Sequence, residues 1–145
     1  MAQDRIQLKG MVFFGHHGIS PEEQALGQRI EVDLEIEADL EAAGHADDPA
    51  LTIDYSELFR ITRDVVEGES VRLLETLSTR IADRVRDDFD AVSAVWVKVM
   101  KPGAPIDGSV LRYAAVEVVW EPEDPDEDGP EDGEEGLDEP RDADG

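Results

Sequence analysis

Between residues 29 and 41 apolar and acidic side chains alternate without interruption. Ile30, Val32, Leu34, Ile36, Ala38 and Leu40 fall on one side; Glu31, Asp33, Glu35, Glu37, Asp39 and Glu41 fall on the other. A period of two predicts a strand with one face toward a core. Its acidic face must meet water, outside or in a solvent-filled channel. A helix would scatter those acids around its circumference. Residues 4–14 alternate too, with Ile6, Leu8, Val12 and Phe14 opposite Arg5, Gln7, Lys9, Met11 and Phe13. Gly10 is positioned for a bulge or a close contact. The two strands pair most simply as antiparallel neighbours across a long loop, residues 15–24, punctuated by glycine and proline.

The period then changes. After a connector over residues 42–53, Asp54-Tyr55-Ser56-Glu57 has the spacing of a capping box. Leu58, Ile61, Thr62, Val65 and Val66 follow at helical intervals, and Gly68 marks a stop. A second helix is expected from about Val71 to Phe89, with Leu74, Leu77, Ile81, Val85 and Phe89 on one stripe. Residues 93–101 and 110–120, rich in valine, read as two further strands. The order ββααββ predicts an α+β fold: a four-stranded antiparallel sheet with two helices on one face. The last two strands carry apolar residues on both faces, so part of the helix-free face is expected to pack against another subunit.

Composition adds a boundary. Of the chain's 37 acids and 13 bases, 14 acids and one base lie beyond Trp120, so that segment carries −13 of the net −24. It contains almost nothing apolar, and is expected to form a disordered acidic tail, residues 121–145, after a single domain, residues 1–120. The domain is itself acidic, which argues against a phosphate-gripping surface and hence against nucleic acid as a partner. With no cysteine, a disulfide framework and thiolate metal sites are excluded. No membrane span and no signal peptide are legible, so a soluble cytoplasmic protein is expected.

Four side chains invite a chemical reading, each with an ordinary alternative. Lys101 ends a stiff strand beside Pro102-Gly103-Ala104-Pro105, which would hold an amine well for proton transfer; it could equally be a solvated surface lysine. Tyr55 is a phenol donor or a packing aromatic. Glu75, with the small Ser78 and Ala82 on its own stripe, has room to face a ligand, or is a solvated helix glutamate. Glu23 is one of two adjacent acids in the long loop. His16 and His17 raise a metal question, but neighbours on an extended chain point apart, and His45 is the third histidine of the sequence. No metal site is therefore expected. Phosphate loops, dinucleotide fingerprints, zinc-protease motifs and nucleophile elbows are absent from the sequence.

Taken together, six pieces in order resemble the dihydroneopterin aldolase family, a tunnelling-fold group of pterin enzymes. They are Ile6-Gln7-Leu8-Lys9-Gly10-Met11; Gly15-His16-His17-Gly18 with Glu22-Glu23; Leu26-Gly27-Gln28-Arg29; Asp54-Tyr55; Leu73-Leu74-Glu75-Thr76-Leu77; and Lys101-Pro102-Gly103-Ala104-Pro105-Ile106. The resemblance spans roughly residues 4–120. It implies that Glu75 anchors the pterin ring, with backbone near Leu74 and Ile53 completing the pterin edge. It implies that Lys101 and Tyr55 move protons, and that Glu23 orients the substrate's side-chain hydroxyls. It implies a retro-aldol cleavage without cofactor, with epimerisation at C2′ as a side activity. It also implies a homo-oligomer, typically two stacked four-subunit rings, with sites between subunits and Tyr55 lent by a neighbour. His16 stands where the family commonly has Tyr, and Ile19-Ser20 replaces its usual apolar pair.

Two rivals remain open on sequence. An epimerase acting on the triphosphate of the same pterin would want several bases near Glu23, where Arg29 stands alone. A non-catalytic pterin-binding scaffold of the same fold would be expected to lose Lys101 or Tyr55, and both are present.

Overall fold

A computed structural model describes residues 4–122. The four strands are β1 (Arg5–Gly15), β2 (Gln28–Glu37), β3 (Ala94–Lys101) and β4 (Ala114–Trp120), paired antiparallel in the order of the sequence. The two long helices are α3 (Tyr55–Val66) and α4 (Leu74–Asp88); two short ones, α1 (Pro21–Leu26) and α2 (Glu41–Ala46), precede them. α3 packs over β1, and α4 over β3 and β4, so both long helices lie on one face. The sheet stays open, with β1 and β4 as its edges. The acidic tail lies outside the described residues apart from Glu121 and Pro122.

The alternation in β2 has the expected consequence. Ile30, Val32, Leu34 and Ile36 are buried and sit against Val95, Val97 and Val99 of β3 and against the helices' Leu58, Ile61, Leu77, Ile81 and Val85. Each such side chain contributes about 1.5–3 kcal/mol when removed from water. The buried hydroxyls are satisfied within their helices: Thr62 Oγ1 donates to Leu58 O at 2.9 Å, and Ser78 Oγ to Leu74 O at 3.0 Å. On the opposite sheet face the acids are met by cations. Glu35 accepts from Arg5 at 2.5 Å, Lys9 stands 3.5 Å away, and Arg5 lies over the Trp96 ring. Arg5, Glu35, Trp96 and Lys98 are among the walls of a hollow of about 200 Å³ on this face.

Several expectations need correction. The register of β1 slips between Leu8 and Met11, where Gly10 adopts φ +75°. This bulge turns the strand over. Met11 and Phe13 therefore join Ile6 and Leu8 on the core side, while Val12 and Phe14 face outward. The loop over residues 15–24 winds into α1, and the 42–53 connector into α2 and a 3-10 turn at Pro49–Leu51. β2 ends at Glu37 and β4 begins at Ala114, because residues 102–113 form turns rather than ladder. Asp54 caps α3 by accepting from Ser56 N–H at 2.8 Å, whereas Glu57 pairs with Arg60 instead of closing a capping box. The small Ser78 and Ala82 are buried in the core, so they do not open space beside Glu75, which is exposed at the helix start.

Candidate active site

Lys101 continues the buried row Val95, Val97, Val99 at the last position of β3. The alternation of a strand thus aims it into the helix layer rather than toward the free sheet face. Its neighbour is α1, whose Glu23 meets Lys101 Nζ with Oε2 at 2.9 Å, both side chains being nearly dry.

Glu23 is held on both oxygens. Oε1 accepts from the backbone N–H of Ser20 at 3.3 Å and from its hydroxyl at 3.2 Å, while Ser20 Oγ accepts from Glu23 N–H. That reciprocal pattern is a capping box at the start of α1, with Pro21 at the first helical position. Oε2 accepts from Gln28 Nε2 at 3.3 Å as well as from Lys101. The hydrogen bond from Lys101 is the main reason the Glu23 carboxyl is lowered to about 2, burial working against it. Gly18 is glycine for a steric reason: a Cβ there would lie 2.4 Å from Glu23 Cδ.

The same corner gathers α4. Gly18 N–H donates to Val71 O at 3.0 Å, and Leu74 and Glu75 open α4 just after Val71. Lys101, Glu23, Leu74 and Glu75 therefore belong to one end of the molecule. Ile53 and Tyr55 belong to the other. Tyr55 begins α3, whose last residue, Val66, contacts His17 in the Glu23 corner. At 1.5 Å per residue the helix puts about 16 Å between its ends. Tyr55 is 63% exposed and Ile53 is buried beneath the helix start.

The histidines are separately engaged. His16 Nδ1 faces Gln24 O at 3.0 Å, the His17 ring bridges Val66 and Val71, and His45 Nε2 lies 3.5 Å from Glu41. Among the described residues no group of three or more acids and histidines could hold a metal ion, and no helix is long and apolar enough to cross a membrane. The sequence suggested no role for Ser20 or Gln28, and for His17 only packing or hydrogen bonding in the loop, which is what its buried, doubly bonded ring does. Ser20 was legible in principle, since Ser-Pro-Glu-Glu carries both the cap spacing and the helix-opening proline. The partners of Gln28 and His17 lie across the fold, and nothing local reveals them.

The family model for FolB, dihydroneopterin aldolase, matches residues 6–119. The chain is 47% identical over 115 residues to the dihydroneopterin aldolase of Bacillus subtilis, covering 79% of this chain and 95% of that one. The chain belongs to the dihydroneopterin aldolase family. A second relative, the dihydroneopterin aldolase of Methylorubrum extorquens, is 40% identical over 116 residues, or 80% of this chain and 88% of the relative. In architecture the chain is similar to the E. coli dihydroneopterin aldolase solved with neopterin, with TM-score 0.75 at 23% identity over 81% of this chain and 99% of that one. It is an aldolase of pterin metabolism that cleaves dihydroneopterin, and its sheet and helices have the tunnelling fold.

Proposed function

We propose that the cleavage takes place in a site shared by two copies of the chain, with Lys101, Glu23, Leu74 and Glu75 from one and Tyr55 and Ile53 from its neighbour. The observation that carries this reading is the dry Lys101–Glu23 pair at the end of β3. It is a charged proton-transfer group with a fixed orientation, next to the start of α4. Glu75 accepts from the pterin 2-amino group and N3–H, a two-pronged match for a carboxylate, and the helix N-terminus favours its anion. Backbone at Leu74 and Ile53 completes the pterin edge, and Glu23 orients the hydroxyls of the substrate's side chain.

The reaction balances on the substrate itself. The 2′-hydroxyl loses its proton, the C1′–C2′ bond breaks, and the carbonyl of glycolaldehyde forms. The electron pair passes to C1′ and is delocalised into the N5=C6 imine of the dihydropterin. Protonation at C1′ then gives 6-hydroxymethyl-7,8-dihydropterin. Lys101 and Tyr55, with an ordered water, carry these protons, and no Schiff base or cofactor is needed. Return of bound glycolaldehyde to the opposite face accounts for epimerisation at C2′ as a side activity.

Sharing between subunits is supported by the length of α3, which keeps Tyr55 from reaching Lys101 of its own chain. It is supported also by the open sheet. Two unpaired edges, with Val12, Phe14 and Val119 each at least half exposed, are poorly suited to an isolated chain. A homo-oligomer of four-subunit rings stacked as an octamer satisfies both. The unphosphorylated pterin is favoured over its triphosphate because the Glu23 corner has Lys101 already neutralised, leaving Arg29 as the nearby base in sequence, itself paired with Glu31 at 3.0 Å. The decisive experiment incubates the purified protein with 7,8-dihydroneopterin in the absence of metal and follows glycolaldehyde. Lys101→Ala is expected to lower kcat by ~100-fold or more, the scale for a proton-transfer group, with pterin binding retained. Full activity in that variant would end the assignment.

A further inference from the structure

His17 is 1% exposed, and both of its ring nitrogens are used. Nε2–H donates to Val66 O at 2.5 Å, the last residue of α3, and Nδ1 accepts the backbone N–H of Val71 at 3.1 Å, on the lead-in to α4. The ring thus closes the gap between two helices that the intervening residues would otherwise leave to a surface loop. Its backbone is tied in as well. His17 O accepts from Gln28 Nε2 at 3.2 Å, the same nitrogen that donates to Glu23 Oε2 at 3.3 Å. On either side, the Ser70 hydroxyl donates to His16 O, and Gly18 N–H donates to Val71 O at 3.0 Å. One residue therefore connects the start of α4, where Glu75 stands, with the carboxylate that holds Lys101.

We infer that His17 is a positioning residue for the aldolase site, fixing the start of α4 relative to the Glu23–Lys101 pair. This rests on the proposed roles of Glu75, Glu23 and Lys101. A simple core histidine would need a partner for each nitrogen and no more. Here the acceptor nitrogen holds the backbone four residues ahead of Glu75, so its loss must loosen the segment that presents the pterin anchor. The arrangement demands a neutral imidazole with the proton on Nε2, because Nδ1 has to accept. Burial, more than the nearby charges of His16 and Lys101, pushes the His17 pKa below its ordinary value, with the Val66 hydrogen bond acting against it.

Three substitutions separate positioning from mere stability. His17→Phe keeps the ring and removes both hydrogen bonds. His17→Asn keeps an acceptor close to Nδ1, and His17→Gln keeps a donor close to Nε2. KM and kcat for 7,8-dihydroneopterin are measured with hydrogen exchange of the Val71 amide. In His17→Phe, KM is expected to rise about tenfold, the worth of one well-made hydrogen bond, with kcat changing far less. His17→Asn is expected to restore KM and Val71 protection largely, and His17→Gln neither. Normal KM in His17→Phe, or equal rescue by Asn and Gln, overturns the inference. The Asn and Gln variants make that comparison on their own if the Phe variant does not fold. Glu75→Ala run alongside keeps two failures apart. An unchanged KM there removes the pterin-anchoring role, whereas an unchanged KM in the His17 variants alone removes only the positioning role.

Discussion

At the end of α3 that carries Val66, the chain is tied down by His17, Gln28, Ser20 and the Lys101–Glu23 pair. At the end that carries Tyr55, the phenol stands largely in solvent, above a buried Ile53. The first end is a half-site already paid for in conformational entropy: its carboxylate and ammonium are oriented before any ligand arrives. The second end offers a reactive group with nothing to act on. On the proposed reading, four groups stand at one end of a chain and two at the far end of α3, and a complete site would need a second copy.

Mixing subunits tests that contrast most severely. Tyr55→Phe alone is expected to lose roughly as much turnover as Lys101→Ala, on the order of 100-fold. Co-assembled after dissociation, the two inactive variants should regain up to about a quarter of parental activity, because random pairing in a symmetric ring reunites an intact Lys101 with an intact Tyr55 at that frequency. Mixtures that remain as inactive as their parts would place the two residues in one chain's site or in none. Glu75→Ala comes next. Loss of a charged two-pronged contact should raise KM by at least tenfold, with a smaller change in kcat. A fall in kcat at constant KM would move Glu75 from binding to chemistry.

Acid distinguishes the ends more gently. The Glu23 carboxyl is lowered to about 2 from an ordinary 4.5. The folded state thus binds its proton less readily than the unfolded chain does. The stability contributed by the Glu23–Lys101 pair is complete above about 4.5 and is lost as pH falls from there toward about 2. Urea unfolding across that window should show a steeper loss for the parent than for Glu23→Gln, and parallel curves would discount the pair. Truncation after Trp120 is the smallest expected effect. The reading of residues 121–145 as a disordered acidic tail predicts an unchanged kcat and an unchanged number of subunits by light scattering, and a change in either gives the tail a role in activity or assembly.

Much of the architecture was written in side-chain periods. The alternation of β2 and the helical stripes of α3 and α4 announced both the layers and the core, because hydrophobic burial depends on spacing that can be counted along the chain. β1 was misread past Gly10, since a single inserted residue inverts every side chain after it and a period cannot say on which side the insertion falls. The short α1 was missed although Ser20 and Pro21 announce it. Its N-cap serine proves to hold Glu23.

Side-chain periods along the chain were enough for the four strands, the two long helices and the sheet order, and local motifs for the candidates Lys101, Glu23, Glu75 and Tyr55 and for the family. Which of those candidates meet depends on how the layers pack. Lys101 and Glu23 are far apart in the chain and come within hydrogen-bonding distance because a strand's alternation aims one inward where a short helix presents the other. Tyr55 and Lys101 are kept apart by the stiffness of α3, a fact of length and direction in space. Local pattern records what each residue prefers; contact is set by how the layers stack, and no short stretch of chain contains that information.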